Sequence, residues 1–237
     1  MSNAFFAALS LFLYLDAQCP FNGSISHTDP FAVSPDLRDA RSLVRTEQRQ
    51  YTGALRYDKK DGAPYRLTSA SDRQYFGNPS TTPSIDHSWK ELLQNEFFAL
   101  SPAEAKPYIE KGLAKPSPSN KYYAELGVFH NLRCLNTIRI YLDAEYYREH
   151  GVPEGFDAPR GLDRAKIDYC LDHLRQSVQC SADLTVVPML AQDAWTGSDN
   201  VLSQPRTCRK WEDVRSWLDR RHERTMLKEQ HAAYELV

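Results

Sequence analysis

Two stretches of the chain carry polar side chains at helical spacing that could do chemistry together. Each holds a triplet at the spacing i, i+3, i+4, namely His130, Arg133 and Cys134 in the first and Lys166, Tyr169 and Cys170 in the second, and Thr137 and His173 continue the same two faces. Residues three or four apart lie on one face of an α-helix, so each triplet forms a polar stripe. Imidazole, phenol, guanidinium and ammonium groups can transfer protons and stabilise an oxyanion. Tyr141 shares the flank of Thr137, and we expect both to contact a substrate, with packing as the alternative for Tyr141.

Two amphipathic helices are expected to position these stripes. The first, over residues 125–148, has no internal proline and is followed by a stop signal at 151–153. The second runs from Leu162 to about Cys180. A connection of roughly a dozen residues permits an antiparallel hairpin, in which the two stripes face each other across a pocket.

The remaining patterns predict a mainly α fold with a small β element. We expect an irregular N-terminal arm, and the antiparallel helix pair is expected to form the site. The other expected elements are, in order, a strand over 46–58 with a possible partner at 64–69, a helix over 87–98 capped by Asp86, a helix starting at Ser101 and Pro102, an extended piece at 183–188, a loop over 191–206 and charged helices over 209–235.

Length and composition favour one domain. The chain has 237 residues, 41% of them hydrophobic, which is enough for one substantial core. We predict a single globular domain over 46–237, preceded over 1–45 by an apolar stub and an extended arm. The apolar run at 5–15 is about half of what a bilayer requires and has no basic residue ahead of it. It is interpreted either as the remnant of a signal or anchor helix or as an amphipathic helix docked on the domain.

Charge and cysteine usage exclude several classes of function. The formal charge is −2, from 29 basic and 31 acidic residues dispersed along the chain, so nucleic acid is not an expected partner. The five cysteines contain no C-x-x-C pair, which argues against a zinc finger or a thioredoxin-type site. In an oxidising compartment, two bridges could form among Cys134, Cys170, Cys180 and Cys208. Three pairings of these four cysteines are possible.

Several of these stretches occur together in one known family. Residues 127–139, 166–183 and 206–209 resemble, in order and spacing, the UstYa-like proteins of fungal secondary-metabolite clusters. Further similarity at 75–80 and 88–93 extends the resemblance over roughly 46–220. It implies an N-terminal membrane anchor, location in the secretory pathway lumen or at its membrane, and two H-x-x-H-C motifs that bind copper for oxidative cyclisation, hydroxylation or halogenation of peptides and polyketides. It also implies Cys180 and Cys208 as disulfide partners.

This sequence departs from the copper motif at most of its ligand positions. Of four expected imidazoles only His130 is present, and the other three positions hold Arg133, Lys166 and Tyr169. Two cations at the site oppose the entry of a divalent metal. We therefore expect no metal and no other cofactor. Catalytic roles are predicted for His130, Arg133, Lys166, Tyr169 and His173 in metal-free isomerisation, dehydration or ring closure, including a pericyclic reaction.

Alternatives remain open for individual residues and for the function. His130 could be a histidine at the core edge, and Arg133 and Lys166 could be solvated or paired with Asp163 or Asp168. Arg206, at a position that is often His in relatives, is either a substrate contact or a surface charge. The leading hypothesis is a metal-independent cyclase or isomerase acting on a small polyketide- or peptide-derived molecule. The alternatives are a copper oxidase and a pseudoenzyme that forms an oligomer with a competent relative.

Overall fold

The computed structural model describes residues 37–53, 55–58, 60–66, 72–109, 111–113, 121–153, 163–186 and 204–234. The chain divides into two compact units, Met1–Arg38 and Asp39–Val237, and nearly all described residues belong to the second. The predicted apolar stub, and Cys19 with it, lie outside the described residues. The predicted domain boundary at residue 45 therefore stays a prediction.

Helices dominate the described part of the chain, as the sequence predicted. None of them is long and apolar enough, among the described residues, to span a bilayer. In chain order they are α1 (Arg38–Leu43), α2 (Ser84–Leu93), α3 (Pro102–Ile109), α4 (Gly127–Leu142), α5 (Ala144–His150), α6 (Arg164–Ser181) and α7 (Trp211–Tyr234). The irregular arm predicted for 16–45 was wrong at its end, because α1 forms there.

The small β element consists of antiparallel strand pairs. The strands of the described segments are β1 (Thr46–Arg49), β2 (Leu55–Tyr57), β3 (Pro64–Arg66), β4 (Phe97–Leu100), β5 (Tyr122–Glu125) and β6 (Arg206–Arg209). They pair as β1 with β6, β2 with β3 and β4 with β5. The single strand predicted over 46–58 is two strands, since Gly53 with φ 76° turns the chain between them. Pairing of its second half with the segment from residue 64 is confirmed.

The helix predicted over 87–98 is shorter and starts earlier than expected. It ends at Leu93 because Asn95 takes a positive φ of 56°, and Phe97 and Phe98 then enter β4. Asp86 was wrong as a cap: it lies inside α2, and its carboxylate binds Arg139 instead. The start signal for α3 is confirmed, since Ser101 N donates to Glu104 Oε2 at 2.7 Å.

The core gathers aromatic side chains from the ends of several elements. Phe98 and Trp217 meet edge to face with ring centroids 5.3 Å apart, and both are buried. Phe129, at the start of α4, is fully buried and lies 5.6 Å from the ring of Trp211. These contacts hold β4, α4 and the start of α7 together.

A second feature of the core is a buried polar network that joins α2, α4 and α5. Arg139 donates to Asn136 Oδ1 at 2.8 Å, to the Tyr147 hydroxyl at 2.6 Å and to Asp86 Oδ1 at 2.7 Å. Tyr147 in turn donates to Asp86 at 2.7 Å. Burial, assisted by the hydrogen bond to Asp86, raises the pKa of Tyr147 to about 12. The network therefore keeps the Arg139 guanidinium and the Tyr147 hydroxyl away from water.

Candidate functional site

The helix pair α4 and α6 forms the scaffold of the site. A disulfide joins Cys134 to Cys170, with Cα atoms 4.9 Å apart and both residues buried. One turn before Cys134 on α4 and two turns after Cys170 on α6, Asn131 Nδ2 donates to Ser177 Oγ at 2.7 Å. The sequence allowed three pairings of four cysteines into two bridges, and the structure forms the Cys134–Cys170 bridge. Because the bridge fixes how the helices align, it brings the stripes of His130 and Tyr169 together.

The centre of the site is a chain of hydrogen bonds that ends in an exposed phenol. His130 Nδ1 lies 2.9 Å from Glu125 Oε1, and His130 Nε2 lies 2.9 Å from the Tyr169 hydroxyl. With Glu125 ionised, Nδ1 carries the proton, so Nε2 accepts the Tyr169 O–H. Tyr169 is 54% exposed, whereas His130 is half-buried. We call Glu125, His130 and Tyr169 the relay.

His173 borders the relay as predicted. Its ring lies 4.5 Å from that of His130, nearly perpendicular, and stacks on Tyr169 with centroids 5.8 Å apart. His130, Tyr169 and His173 are thus brought together, which confirms the expected convergence of the two stripes.

Arg133 lies in the same cluster but is neutralised there. Its guanidinium pairs with Glu125 and, at 3.3 Å, with Glu96 Oε2, and it covers the ring of Phe97 at 4.6 Å. For Arg133, the alternative pairing with Asp163 or Asp168 was wrong. Asp163 caps α6 by accepting from Ala165 N, and Asp168 pairs with Arg164. A guanidinium already matched by two carboxylates is a weak oxyanion stabiliser, and the predicted catalytic role of Arg133 stays a prediction.

The other predicted contacts lie farther along the helices. Lys166 is half-buried, one turn before Tyr169 on α6. Thr137 donates its hydroxyl to Arg133 O at 2.9 Å, so this hydroxyl is used within its own helix. Tyr141 is half-buried, and its charge interaction is with Arg164 at the start of α6. Nothing described in the structure gives Thr137 or Tyr141 a specific link to the relay.

Arg206 is engaged elsewhere than the relay. It lies at the start of β6 rather than in the loop predicted to end there, pairs with Asp183 at 2.8 Å and covers the ring of Tyr51 at 4.2 Å. The Arg206 side chain is only 13% exposed, so neither a surface charge nor a substrate contact is established for it, and both alternatives stay predictions.

The second predicted disulfide is not formed. Cys180, exposed near the end of α6, and Cys208, half-buried in β6, both carry free thiols. Cys208 stands opposite Glu47 of β1 in the strand register, so its nearest strand partner is not a cysteine.

Sequence reasoning missed two acidic members of the site, Glu125 and Glu96. Glu125 was read as the first residue of a helix, yet it ends β5, directly before α4. The β-forming residues Tyr122 and Tyr123 could have indicated that strand. Glu96 reaches Arg133 only because β4 pairs with β5 in a register that sets Phe97 opposite Glu125. No local sequence signal predicts that pairing.

The residues present do not fit a copper centre. Both ring nitrogens of His130 are held, by Glu125 and by Tyr169, and the two motif cysteines are joined as a disulfide and offer no thiolate. No group of three or more His, Cys, Asp or Glu side chains suited to a metal is found in the described segments.

Comparison with known proteins identifies the family. The UstYa oxidase phomYd of Diaporthe leptostromiformis is 27% identical over 194 residues, which is 77% of this chain and 60% of that protein. The oxidase phomYc of the same fungus is 32% identical over 60% of this chain and 57% of its own length. The transacylase cctO of Talaromyces islandicus is 26% identical over 83% of this chain and 67% of its own length.

The chain thus spans about three-fifths of the length of the first two relatives. No solved structure matches it. The family model described as mycotoxin biosynthesis protein UstYa matches residues 3–221, nearly the whole chain. The resemblance seen in the motifs is confirmed: this chain belongs to the UstYa family of fungal secondary-metabolite biosynthesis proteins.

Proposed function

We propose that this protein is a redox-neutral, metal-independent cyclase or isomerase that acts on a polyketide- or peptide-derived intermediate. The observation that carries the proposal is the relay, in which a carboxylate, an imidazole and a phenol are joined by two hydrogen bonds of 2.9 Å. Each member has the partner that proton transfer requires, and the last member is open to solvent.

The proton takes one path through the relay. Tyr169 accepts a proton from a carbon or oxygen atom of the substrate as its own hydroxyl proton passes to His130 Nε2. The imidazolium that forms is stabilised by the Glu125 carboxylate on Nδ1. The proton then returns through Tyr169 to a different atom of the substrate. Bonds in the substrate are rearranged, and no electrons are gained or lost.

Two neighbours set the charge around this path. The negative charge that appears on the substrate is matched by Lys166, the cation one turn from Tyr169 on α6. Arg133 holds Glu125 in place from the other side, and Glu96 balances the charge of Arg133. Such a balance of positive and negative side chains around the relay suits the transfer of protons.

The test is a comparison of product masses. The wild-type chain and the variants Tyr169→Phe and His130→Gln are co-expressed with the fungal enzymes that supply the substrate. We expect each variant to lower product formation by about 10²- to 10⁴-fold, the usual contribution of acid–base catalysis. The accumulated compound should have the mass of the product, or that mass plus one water. Tyr146→Phe is the control, because Tyr146 stacks on His150 and does not belong to the relay.

A second candidate is oxidation, because several relatives are named UstYa family oxidases. In that case the compound accumulated by the variants would differ from the product by two hydrogen atoms or one oxygen atom. Copper retained stoichiometrically by the purified protein, with activity lost on chelation, would likewise contradict the metal-free proposal.

A further inference from the structure

A cavity of about 200 Å³ lies between α1 and α7, two helices that contribute nothing to the relay. Its α7 wall is formed by residues at intervals of three and four, which share one face of that helix. The lining residues are Asp39, Ser42 and Leu43 of α1 and Trp217, Arg220, Arg221 and Arg224 of α7. Three guanidinium groups therefore border one small space.

The positive charge of this cavity is only partly neutralised. Arg221 donates to Ala99 O at 3.1 Å and to the Glu104 carboxylate, so its guanidinium is fixed and balanced. Arg220 and Arg224 are exposed and form no hydrogen bond or ion pair within the described part of the chain. Asp39 adds one carboxylate to the lining and pairs with no cation there. The excess charge thus comes from Arg220 and Arg224.

We infer that this cavity binds a phosphate monoester. Guanidinium groups donate in pairs to phosphate oxygens, and a tetrahedral phosphate accepts more directional donors than a carboxylate does. Arg220 and Arg224 supply donors of this kind from α7, whereas the Ser42 hydroxyl of α1 donates to Asp39 O at 3.1 Å. The volume exceeds that of the phosphate group, and Leu43 and Trp217 give the remaining space an apolar wall. The phosphate is carried either by a free small molecule or by a lipid headgroup.

The residues that line the cavity also predict that some substitutions weaken phosphate binding and that another strengthens it. Loss of Arg220 and Arg224 removes the donors that are not already neutralised. Loss of the charge on Asp39 removes a carboxylate that repels the ligand. The same cavity should therefore yield both weaker and tighter variants, which a general effect on folding would not produce.

The experiment measures phosphate binding by calorimetry on the full chain, at constant ionic strength and with acetate as the carboxylate comparison. The double variant Arg220→Gln/Arg224→Gln should bind inorganic phosphate roughly tenfold more weakly or worse, and Asp39→Asn should bind it about threefold more tightly. Arg148→Gln is the control, because Arg148 is an exposed arginine on α5, outside the cavity. Its affinity should equal that of the wild type.

Two further arms identify the source of the phosphate. Glycerol 3-phosphate represents a free monoester, and phosphatidylcholine vesicles with and without phosphatidic acid represent a lipid monoester. Binding in either arm that is lost in the double variant supports the site and names its source. The inference is overturned if phosphate does not bind at millimolar concentration, if acetate binds as tightly, or if Arg148→Gln weakens binding as much as the double variant does. None of these outcomes depends on the relay.

Discussion

Helix α4 carries two clusters of similar chemistry, one on each side. The relay side combines Arg133 with Glu125, His130 and Tyr169, and the core side combines Arg139 with Asp86, Asn136 and Tyr147. Both contain an arginine paired with a carboxylate and a phenol, which bonds to that pair directly in the core cluster and through His130 in the relay cluster. They differ in exposure: Tyr169 is 54% exposed and Tyr147 only 2%.

Because of this difference in exposure, the Tyr169 phenol is open to a ligand, whereas the Tyr147 phenol can only stabilise the fold. In the buried network the Tyr147 hydroxyl accepts from Arg139 and donates to Asp86, and the phenol is closed to any ligand. In the relay the phenol has one protein partner and an open side. The same residue types at similar spacing on one helix thus give chemistry on one side and structure on the other, and solvent access decides which.

The largest expected effect tests the core side of this comparison. Asp86→Asn leaves the buried guanidinium of Arg139 without its counter-charge, and we expect the free energy of unfolding to fall by about 3 kcal/mol. Urea denaturation measures it. Asp168→Asn, which removes the exposed partner of Arg164, serves as control and should cost at most about 0.5 kcal/mol. Equal losses in the two variants would mean that burial adds nothing to this ion pair.

The second-largest expected effect is the loss of stability on removal of the Cys134–Cys170 disulfide, which lies beside the relay. Cys134→Ala/Cys170→Ala opens a loop of 36 residues, and the expected loss of stability is about 2–4 kcal/mol. Turnover should fall as well, since the bridge aligns His130 with Tyr169. Cys180→Ala removes an exposed free thiol and should change neither quantity. Full turnover by the double variant at a temperature where it is folded would show that the relay aligns without the bridge.

The third effect is a loss of stability in base that arises from the buried phenol. The pKa of Tyr147 is raised from 10.0 to about 12, so the folded protein holds this proton more tightly than the unfolded chain does. Stability from this group is complete below pH 10 and is lost as the pH rises toward 12, by on the order of 2 kcal/mol. Urea midpoints at pH 9 and pH 11 measure the change.

The variants separate the two phenols in this third experiment. Tyr147→Phe should be less stable than the wild type at neutral pH but should lack the extra loss in base. Tyr169→Phe should keep the wild-type slope. A wild-type slope in Tyr147→Phe would assign the loss to other titrating groups.

The smallest expected effect on stability is at the relay itself. Glu125→Gln removes a half-buried carboxylate, and we expect a loss of about 1 kcal/mol or less because water still reaches this cluster. Turnover should nevertheless fall about tenfold or more, since His130 Nδ1 loses its anionic partner. A destabilisation as large as that of Asp86→Asn, with turnover intact, would reverse the roles of the two clusters.

The sequence predicted the helices of the site better than their surroundings. Helical spacing over 125–148 and 161–180 indicated α4 and α6, and the polar stripes do converge. The break at Asp143 that starts α5 was not predicted, because the pattern runs on through it without proline or glycine. Periodicity reports which face of a segment is polar, and it carries no information about where a short turn interrupts the helix.

Partners distant in sequence could not be predicted. Arg133 and Arg139 look alike in the motif, yet one meets Glu96 and Glu125 and the other meets Asp86. Each choice depends on strand register or helix packing, which form only in three dimensions. The disulfide illustrates the same limit, since spacing alone allowed three pairings and the packing of α4 on α6 forms one.

The position of the bridge also constrains the order of events during synthesis. Cys134 leaves the ribosome well before Cys170, which follows 36 residues later. The covalent link can close only after the first seven residues of α6 have emerged, and a nascent chain that ends before Tyr169 holds Glu125 and His130 without their phenol partner. A translation product that ends before Tyr169 therefore lacks the relay that we propose for proton transfer.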